Sequence, residues 1–568
     1  MSDHQSQQRK KWKLSPLMNQ GSVPTLADYP AIFQQILYNR GIISSSAAEE
    51  YLYGANFSHP DPFLLSGMVK GVDRILLAVD RNEKIVIYGD YDVDGVTATA
   101  LLVELLKSMG AEVQPYIPDR FEEGYGLNKE ALQSFVDNGI KLAITVDCGI
   151  RSMEEAAFAG AIGLDLIITD HHHPLEQIPD AFAVINPKQK GDEYPYKDLA
   201  GVGVAFKVSQ AVLTRTGAAV DYAERWLDLV ALGTVADLAP LVGENRALVR
   251  TGLHMIKTGR RKGLHALAQV AGLSIANITA SDIGFTLGPR LNAAGRLTTA
   301  MAAYSLLVCP DPEEAKVLAQ NLNESNIDRQ KITRETQQNA VETVMSRPEM
   351  GYLLFVVDPE YNEGIVGLVA SRLTDQFYRP SVVGKRDTTT TRCSCRSIPE
   401  FHITDALDEC RDLLIRHGGH AAAAGFTVSN ENLEKLMVRL QEIASRELSG
   451  LDLAPTLHAD AEVSLKDLDM NLYNFLELLQ PFGYGNQEPS FISRKVKVKE
   501  ARQIGADKKH LKFKIQEGLL VLDAIGFNFG HLHGSLTDQV DILYIFEKNT
   551  YNGYVNMQLR IKDIHPST

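Results

Sequence analysis

The sequence predicts an α/β fold in which a largely parallel sheet comes first, a second and smaller α/β unit follows, and a β domain ends the chain. Across residues 84–187, short apolar runs alternate with amphipathic stretches, which is the rhythm of βαβ units. A new apolar run at residues 352–357 starts the second unit, which closes near residues 449–450. From about residue 461 to residue 564, apolar and charged residues alternate as they do in half-buried strands. The 568 residues exceed what one hydrophobic core supports, so three or four domains are expected.

The individual elements follow from these patterns in chain order. The strand-like runs of the first unit are residues 85–88, 113–116, 142–146 and 166–169, with an amphipathic stretch at 97–109. Residues 222–345 have a mainly helical pattern, and their polar, amphipathic end at 312–345 predicts a long connecting helix. The expected divisions are an N-terminal segment (1–70), a first domain (71–310), the connecting helix (311–348), a second domain (349–452) and a C-terminal domain (453–568).

The composition is that of a folded protein without a membrane segment. Hydrophobic residues make up 45% and charged residues 23% of the chain. No apolar run approaches the roughly 18 residues of a membrane span. Residues 1–16 are polar and lack the apolar core of a secretion signal, so a cytoplasmic location is expected. Five scattered cysteines, none spaced as in a zinc ribbon, predict reduced thiols.

The net charge of −14 argues against a general polyanion binder, so contact with nucleic acid requires a local basic surface. Residues 494–514 supply one, with nine Lys or Arg against Glu500 and Asp507, a local balance of +7. On alternating strands such a row can track a phosphate backbone. Nearby phenylalanines could stack on bases, although aromatic residues of a β domain more often belong to its core. They are Phe491, Phe513, Phe527 and Phe529.

Acidic and imidazole side chains stand at the ends of apolar runs in the first 240 residues. They are Asp90, Asp92, Asp94, Asp147, Asp170, His171, His172 and Asp237. Parallel strands end at one edge of a sheet, so most of these groups are expected to converge there. Carboxylates crowded together require a cation, and oxygen ligands with one or two imidazoles suit Mn²⁺ or Mg²⁺. The pattern therefore predicts a metal-dependent hydrolase.

Simpler explanations exist for each of these groups. Asp92 and Asp94 are expected to point to one side of an extended segment, and residues 101–103 lack the acid that a calcium-binding EF-hand would need. Residues 170–173 could be a surface histidine cluster, and Asp237 could be a helix N-cap. The glycines and alanines of residues 418–425 could form a tightly packed helix.

The chain resembles the DHH phosphoesterase superfamily, and within it the long members that degrade single-stranded DNA. The resemblance rests on motifs in the family order over nearly the whole chain. These are Tyr-Gly-Asp-Tyr-Asp-Val-Asp-Gly (88–95), Thr-Val-Asp-Cys-Gly (145–149), Thr-Asp-His-His (169–172), Leu-Ala-Gly-Val-Gly-Val (199–204), Gly-Thr-Val-Ala-Asp (233–237), Gly-Pro-Arg-Leu-Asn-Ala-Ala-Gly-Arg (288–296) and Gly-Gly-His (418–420). It implies a DHH catalytic domain, a DHH-associated domain and a C-terminal β-barrel of the OB-fold type.

The resemblance also implies roles for individual residues at a centre with two Mn²⁺ or Mg²⁺ ions. Asp147 would bridge the ions and His172 would face the scissile phosphate, while Asp90 and Asp170 would act as ligands or orient them. The implied ligands are Asp92, Asp94, Asp147, His171 and Asp237.

Residues of the second domain are expected to bind the substrate strand. Ser394 and Arg396 offer a hydroxyl and a guanidinium suited to a terminal phosphate. By resemblance they would clamp the 5′ phosphate, with Arg290 or Arg296 assisting, next to the Gly418, Gly419 and His420 motif. The chain departs from its relatives at Asn362, where they often carry His, and at Cys393 and Cys395, where they carry small residues. We expect the two cysteines to make the phosphate pocket sensitive to oxidation.

The resulting expectation is a 5′-to-3′ exonuclease that degrades single-stranded DNA to mononucleotides in recombination and repair. A RecQ-type helicase and a single-strand-binding protein are the partners implied by resemblance, and the chain is expected to be a monomer. The alternatives are a DHH hydrolase of short oligonucleotides or cyclic dinucleotides, and a DHH-derived scaffold that has lost catalysis.

Overall fold

The computed structural model describes residues 9–18, 24–54, 59–120, 122–124, 126–259, 261–551 and 554–567. The N-terminal region contains β1 (Lys11–Leu14), α1 (Ala31–Asn39), α2 (Ser45–Tyr53) and α3 (Met68–Asp80). The sheet region follows with β2 (Lys84–Gly89), α4 (Val93–Ser108), β3 (Val113–Tyr116), α5 (Lys129–Asp137), β4 (Ile140–Val146), α6 (Met153–Ala161), β5 (Asp165–Thr169) and β6 (Ala183–Ile185). Within these residues no helix is long and apolar enough to cross a membrane.

The first sheet is fully parallel, with strand order β3-β2-β4-β5-β6. Its strands are apolar on both faces because helices cover both. In β2, Ile85 and Ile87 pack on one face with α4, while Val86 and Tyr88 pack on the other with α5. The predicted α/β class and parallel sheet are confirmed.

A helical region and a long connecting helix continue the chain. The elements are α7 (Gly201–Thr216), α8 (Leu227–Ala236), α9 (Gly243–Lys257), α10 (Lys262–Val270), α11 (Ala280–Asp282), a π-helical turn (Ile283–Leu287), α12 (Gly288–Leu297), α13 (Met301–Val308) and α14 (Pro312–Met345). Asp311 caps α14 by accepting from the amides of Glu313 and Glu314, and Pro312 fits the first helical position. The helix is about 50 Å long and packs against α10, α12 and α15 (Glu363–Phe377).

The second α/β unit is a mixed sheet of order β10-β11-β9-β8-β7. Its elements besides α15 are β7 (Leu354–Asp358), β8 (Ser381–Arg386), β9 (Thr390–Arg396), α16 (Ile403–Asp408), β10 (Leu414–His420), β11 (Ala423–Ser429) and α17 (Leu433–Leu448). The helix considered for residues 418–425 is wrong. Gly418 and Gly419 pair with Gly425 and Ala424 across a tight β-hairpin, and a Cβ at Gly419 would lie only 2.5 Å from Cα of Ala424.

The C-terminal region forms a closed barrel. Its elements are β12 (Thr456–Ala459), β13 (Ala461–Glu462), α18 (Met470–Glu477), β14 (Phe491–Ile504), β15 (His510–Glu517), β16 (Leu520–Gly526), β17 (Gln539–Tyr551) and β18 (Tyr554–Pro566). Strands β14, β15, β16, β18 and β17 are neighbours in that order, and β17 returns to β14. Phe33 and Leu37 of α1 share the barrel's core with Phe491 and Phe513. The N-terminal helices thus pack on the C-terminal barrel.

Candidate metal centre and phosphate site

The predicted convergence occurs at the carboxyl edge of the parallel sheet. Asp90 directly follows β2, Asp147 follows β4, and Asp170 and His171 follow β5. All four are buried. Strand ends that are distant in sequence therefore bring one imidazole and three carboxylates together.

Asp92 and Asp94 do not share one extended segment, which corrects the prediction, because only Asp92 has an extended backbone and Asp94 is already helical. Asp92 is the N-cap of α4 and accepts from the amides of Asp94 (2.9 Å) and Gly95 (3.1 Å), so the helix begins before Gly95. Asp94, in the first turn, is fully buried. Its two oxygens accept from the amides of Gly201 (2.6 Å) and Val202 (2.8 Å) at the start of α7. A helix N-terminus favours a carboxylate, so α7 orients this side chain.

Asp237 is at the C-terminal end of α8 and is not a helix N-cap. Its carboxylate oxygen lies 3.8 Å from His171 Nε2, so α8 carries it to the sheet edge. Leu238, which follows, has a φ of 61°, a strained conformation for a side chain of this size. Such outliers cluster at functional sites, and this one turns the chain away directly after Asp237.

Two glycines permit the close packing of the centre. A Cβ at Gly201 would lie 2.6 Å from Cβ of Asp147, and a Cβ at Gly233 would lie 2.8 Å from Oδ1 of Asp94. Both contacts are too short for real atoms. The glycine motifs at 199–204 and 233–237 are thus explained by close approach of two helices to the acidic groups.

The groups form three overlapping sets whose potential ligand atoms lie within 4.8 Å of one another. Asp147 belongs to two sets, and so does His171, so each is shared between neighbouring sets. The sets are Asp90, Asp92 and Asp147; Asp147, His171 and His172; and Asp94, His171 and Asp237.

A test of whether a cation fits comes from unsatisfied atoms. Asp90 Oδ1, Asp147 Oδ1 and His171 Nε2 are buried and have no hydrogen-bond partner within the described residues. Asp147 Oδ1 and His171 Nε2 nevertheless lie 3.0 Å apart. Buried polar atoms left without partners are unfavourable, and atoms that converge without bonding are placed as metal ligands are. The donor set fits Mn²⁺ or Mg²⁺.

The electrostatics of the centre agree with this test. Burial, and then the charge of Asp92, raises the pKa of Asp94 to about 7. Burial and then Asp94 raise the pKa of Asp237 to about 9. Burial and then Asp94 also raise the pKa of Asp147, while burial and His172 lower the pKa of His171 to about 3. Negative charge on these carboxylates is therefore unfavourable without a cation, and a bound cation would stabilise it. His171 is neutral, which is the form that binds a metal ion.

Asp170 orients its neighbours. Its Oδ1 accepts from the amides of His171 (2.7 Å) and His172 (3.1 Å) and lies 2.8 Å from His172 Nδ1, and its Oδ2 accepts from the amide of Ile150 (2.9 Å). Although burial opposes both shifts, the Asp170–His172 hydrogen bond lowers the pKa of Asp170 and raises the pKa of His172. Both carboxylate oxygens are engaged, so Asp170 fits the orienting role better than that of a ligand.

The substrate residues predicted in the second domain also come together. The strand register places Ser394 beside Gly425 and Gly425 beside Gly418, with Arg396 beside Ala423 and Ala423 beside His420. Arg396 donates to Ser394 Oγ (3.2 Å).

Arg296 of α12 contacts the second domain near Ser394 and Arg396. Its guanidinium donates to the carbonyl of Gly364 (3.0 Å) at the start of α15. Burial and then Arg120, Arg329 and Arg396 lower the pKa of Arg296 to about 10. Arg290 instead donates to Asn323 of α14 (3.0 Å).

The departures from the family pattern have structural explanations. Asn362 caps α15 by accepting from the amide of Gly364 (2.8 Å). Cys393 and Cys395 alternate with Ser394 and Arg396 on β9, so they face the core on the opposite side. Burial raises the pKa of Cys393 and raises that of Cys395 to about 12. The expectation of an oxidation-sensitive pocket is therefore wrong, because these thiols are buried and protonated.

Arg120 and Arg151, which the motifs did not single out, lie near the predicted site residues. Arg120 stacks over the Tyr91 ring at 4.8 Å, next to Asp90 and Asp92. Burial and then Arg151 and His173 lower the pKa of His420, so this side chain lies within electrostatic reach of residues that follow β4 and β5.

Phe285 is 84% exposed on the π-helical turn that packs against α8. An isolated aromatic residue leaves no pattern in a sequence, and π-helical turns often mark functional positions.

The basic row of the barrel lies on β14 and β15 and their connection. Part of it is neutralised, since Arg494 pairs with Asp541 (3.0 Å) and Lys514 with Glu500 (2.5 Å). Of the four phenylalanines, Phe491 and Phe513 are buried and Phe529 packs against the core, while Phe527 is 49% exposed.

Family models match three stretches of the chain. They are the DHH family, N-terminal domain (residues 84–234), the DHHA1 domain (349–446) and the RecJ OB domain (459–563). Fold and site thus define a member of the DHH superfamily.

Similar proteins narrow this class. Single-stranded-DNA-specific exonuclease RecJ of Bacillus subtilis (strain 168) is 39% identical over 93% of this chain and 67% of its own length. RecJ of Dickeya dadantii is 36% identical over 94% and 96%. A crystal structure of RecJ from Thermus thermophilus in complex with Mn²⁺ superposes with a TM-score of 0.86, at 28% identity over 99% of this chain and 80% of that one. The chain belongs to the RecJ family.

Proposed function

We propose that this protein is a metal-dependent exonuclease that hydrolyses single-stranded DNA from the 5′ end to 5′-mononucleotides in recombination and repair. One observation carries the proposal. The unsatisfied atoms of Asp147 and His171 converge at the sheet edge, while Arg296, reaching toward Ser394 and Arg396, is electrostatically coupled to Asp92 of the same centre. A cleavage centre and a phosphate clamp thus share one cleft.

Asp92, Asp94, Asp147, His171 and Asp237, with Asp90, would hold two Mn²⁺ or Mg²⁺ ions. Bound ions of this kind supply a hydroxide nucleophile and neutralise charge on the leaving oxygen. The proposal is supported by the relatives, which are named for single-strand-specific cleavage and, in one structure, contain Mn²⁺.

The chain's own residues position the strand. Arg296, Ser394 and Arg396 bind the terminal phosphate and so fix which end enters, because only a strand end presents a phosphate with three free oxygens. The Asp170 carboxylate holds His172 by Nδ1 and favours its protonated form, which places positive charge beside the scissile phosphate. The Gly418–His420 strand closes the cleft from the second domain.

Further features stay predictions. These are the domain divisions at residues 70, 310, 348 and 452, a RecQ-type helicase and a single-strand-binding protein as partners, a monomeric state and a cytoplasmic location.

The test is a time course with Mn²⁺ on single-stranded DNA labelled separately at each end. Duplex DNA, a dinucleotide and a cyclic dinucleotide serve as comparators. We expect labelled mononucleotides to appear first from the 5′ end of long single strands. Preference for the short or cyclic substrates would favour a small-nucleotide phosphodiesterase, and no hydrolysis of any substrate would favour a scaffold.

A further inference from the structure

Three arginines donate hydrogen bonds to side-chain amide oxygens on one face of the connecting helix α14. Arg290 of α12 donates to Asn323 Oδ1 (3.0 Å), and Arg329 of α14 itself donates to Asn326 Oδ1 (2.8 Å). Arg372 of α15 donates to Gln337 Oε1 (2.9 Å). We call Arg290, Arg329 and Arg372 the arginine row. It lies where α12 of the first domain and α15 of the second both pack on α14.

The row carries uncompensated positive charge. No carboxylate oxygen lies within 4.0 Å of any of the three guanidiniums within the described residues. Arg329 Nε is buried without a hydrogen-bond partner there. Burial, and then the charges of Arg372 and Arg290, lowers the pKa of Arg329. The three side chains are half-buried, and an amide oxygen satisfies a donor without neutralising its charge, so the row keeps positive charge that an anion can bind.

Two arginines elsewhere in the chain have carboxylate partners. Arg74 pairs with Glu83 and Asp165, both at 2.6 Å. Arg261 pairs with Glu104 (2.7 Å) and Asp228 (2.8 Å). At these two positions carboxylates neutralise the guanidinium charge. The amides along α14 position the three guanidiniums without neutralising them, which leaves their charge available to an anionic ligand.

We propose that the arginine row binds backbone phosphates of the single strand, in addition to the terminal phosphate held by Arg296, Ser394 and Arg396. The inference rests on the proposed function and deepens it. About 21 Å of helix separates Asn323 from Gln337, which is longer than one phosphate group and suits a chain of phosphates. Arg329 also lies within electrostatic reach of Arg296, so the row continues from the clamp.

The test uses Arg329→Gln and Arg372→Gln in the full chain, because neither residue belongs to the terminal clamp. Binding of a fluorescent 5′-phosphorylated oligonucleotide is measured in chelator, without hydrolysis, over a series of salt concentrations. Each variant is expected to bind about tenfold more weakly at physiological salt. The slope of log K against log salt should fall by about 0.7 for each phosphate that the variant no longer binds. Arg329→Lys, which keeps the charge, should retain the wild-type slope.

Arg446→Gln is the control, since Arg446 is exposed and pairs with Glu409. It should leave affinity and slope unchanged. Unchanged affinity and slope in both row variants would overturn the inference. Pyrophosphate is also tested as a competitor of the oligonucleotide. If it competes for the wild-type protein but not for the variants, while the variants keep the wild-type salt slope, the row is a site for a free anion and the inference is overturned. Reduced slopes in a protein that hydrolyses nothing would support the row and refute the proposed exonuclease.

Discussion

His171 Nε2 and Asp147 Oδ1 lie 3.0 Å apart at the carboxyl edge of the parallel sheet, and neither has a hydrogen-bond partner within the described residues. Asp147 has a φ of 62°, a conformation that non-glycine residues rarely adopt. The backbone after β4 is therefore strained in a way that turns this carboxylate toward the imidazole. Two buried atoms that approach this closely without bonding to each other are arranged as two ligands of one cation are.

Asp147→Ala is expected to abolish cleavage while single-strand binding survives. Loss of a residue that only orients a ligand lowers activity about 10- to 100-fold, so loss of a shared ligand should exceed a hundredfold. Turnover of labelled single strands and Mn²⁺ stoichiometry by calorimetry measure the effect. Glu154→Ala, at an exposed pair with Lys129, is the control. Substantial remaining turnover would mean that Asp147 is not the shared ligand.

The metal-free protein is expected to lose stability as pH rises. The folded-state pKa values of Asp94 and Asp237 are raised to about 7 and about 9 from 3.8. Groups with raised pKa values stabilise the fold fully below the unfolded pKa, and this contribution is lost as pH rises through the folded pKa. The melting temperature in chelator should fall between about pH 4 and pH 9.

Mn²⁺ should remove most of that dependence, because the cation stabilises the charged carboxylates. Asp237→Asn should flatten the metal-free curve. Thermal melts over this pH range, with and without Mn²⁺, provide the measurement. A metal-free melting temperature independent of pH would contradict the account.

Arg396→Ala is expected to weaken selection of phosphorylated 5′ ends. The guanidinium and Ser394 form one side of the proposed clamp, and a charge-assisted hydrogen bond contributes about 1.5 to 3 kcal/mol. KM for 5′-phosphorylated strands should therefore rise about tenfold or more, while strands with a 5′-hydroxyl are little affected. Arg446→Ala serves as the matched control. An unchanged preference would place the clamp elsewhere.

Cys393 and Cys395 are expected to resist alkylation in the native protein. Both thiols are buried and held protonated by raised pKa values, so the reactive thiolate is scarce at pH 8. Iodoacetamide labelling followed by mass spectrometry should modify them only after denaturation. Rapid labelling of the native chain would show that β9 opens.

The sequence predicted the sheet edge because apolar runs ending in Asp90, Asp147 and Asp170 leave a clear pattern. It did not predict that α4 starts at Asp92, since a short acidic run fits both an extended segment and a helix cap. The hairpin at Gly418 was missed because alanine-rich runs favour helices locally, whereas the pairing with β11 and β9 is a long-range effect. Of the arginine row the sequence indicated only Arg290, because the three members come from three helices and their proximity is a long-range effect.

Arg246 joins three parts of the chain that the sequence showed only as separate segments. Its guanidinium donates to the carbonyls of Leu479 (2.8 Å) and Leu478 (3.2 Å) before the barrel, and stacks at 4.0 Å on the Tyr51 ring of α2. Leu241 lies four residues after Asp237, and its amide donates to the carbonyl of Tyr484 (2.7 Å). Hydrogen bonds thus connect the segment before the barrel to the segment that follows Asp237, a candidate metal ligand.

Arg246→Met should therefore uncouple the barrel from the catalytic region. Buried carbonyls left without donors destabilise a fold by about 1 to 3 kcal/mol each, so we expect a loss of about 3 kcal/mol. The two tryptophans report on separate regions, since Trp12 contacts Asp563 of β18 and Trp226 is in the first core.

Single-tryptophan variants, Trp12→Phe and Trp226→Phe, allow urea unfolding of each region to be followed by fluorescence. The two transitions should coincide in the otherwise wild-type chain and separate in Arg246→Met, with the Trp12 transition at lower urea. Arg215→Met, at an exposed pair with Asp73, should leave them coincident. Coincident transitions in Arg246→Met would mean that the shared core of the N-terminal helices and the barrel, rather than this arginine, couples the two regions.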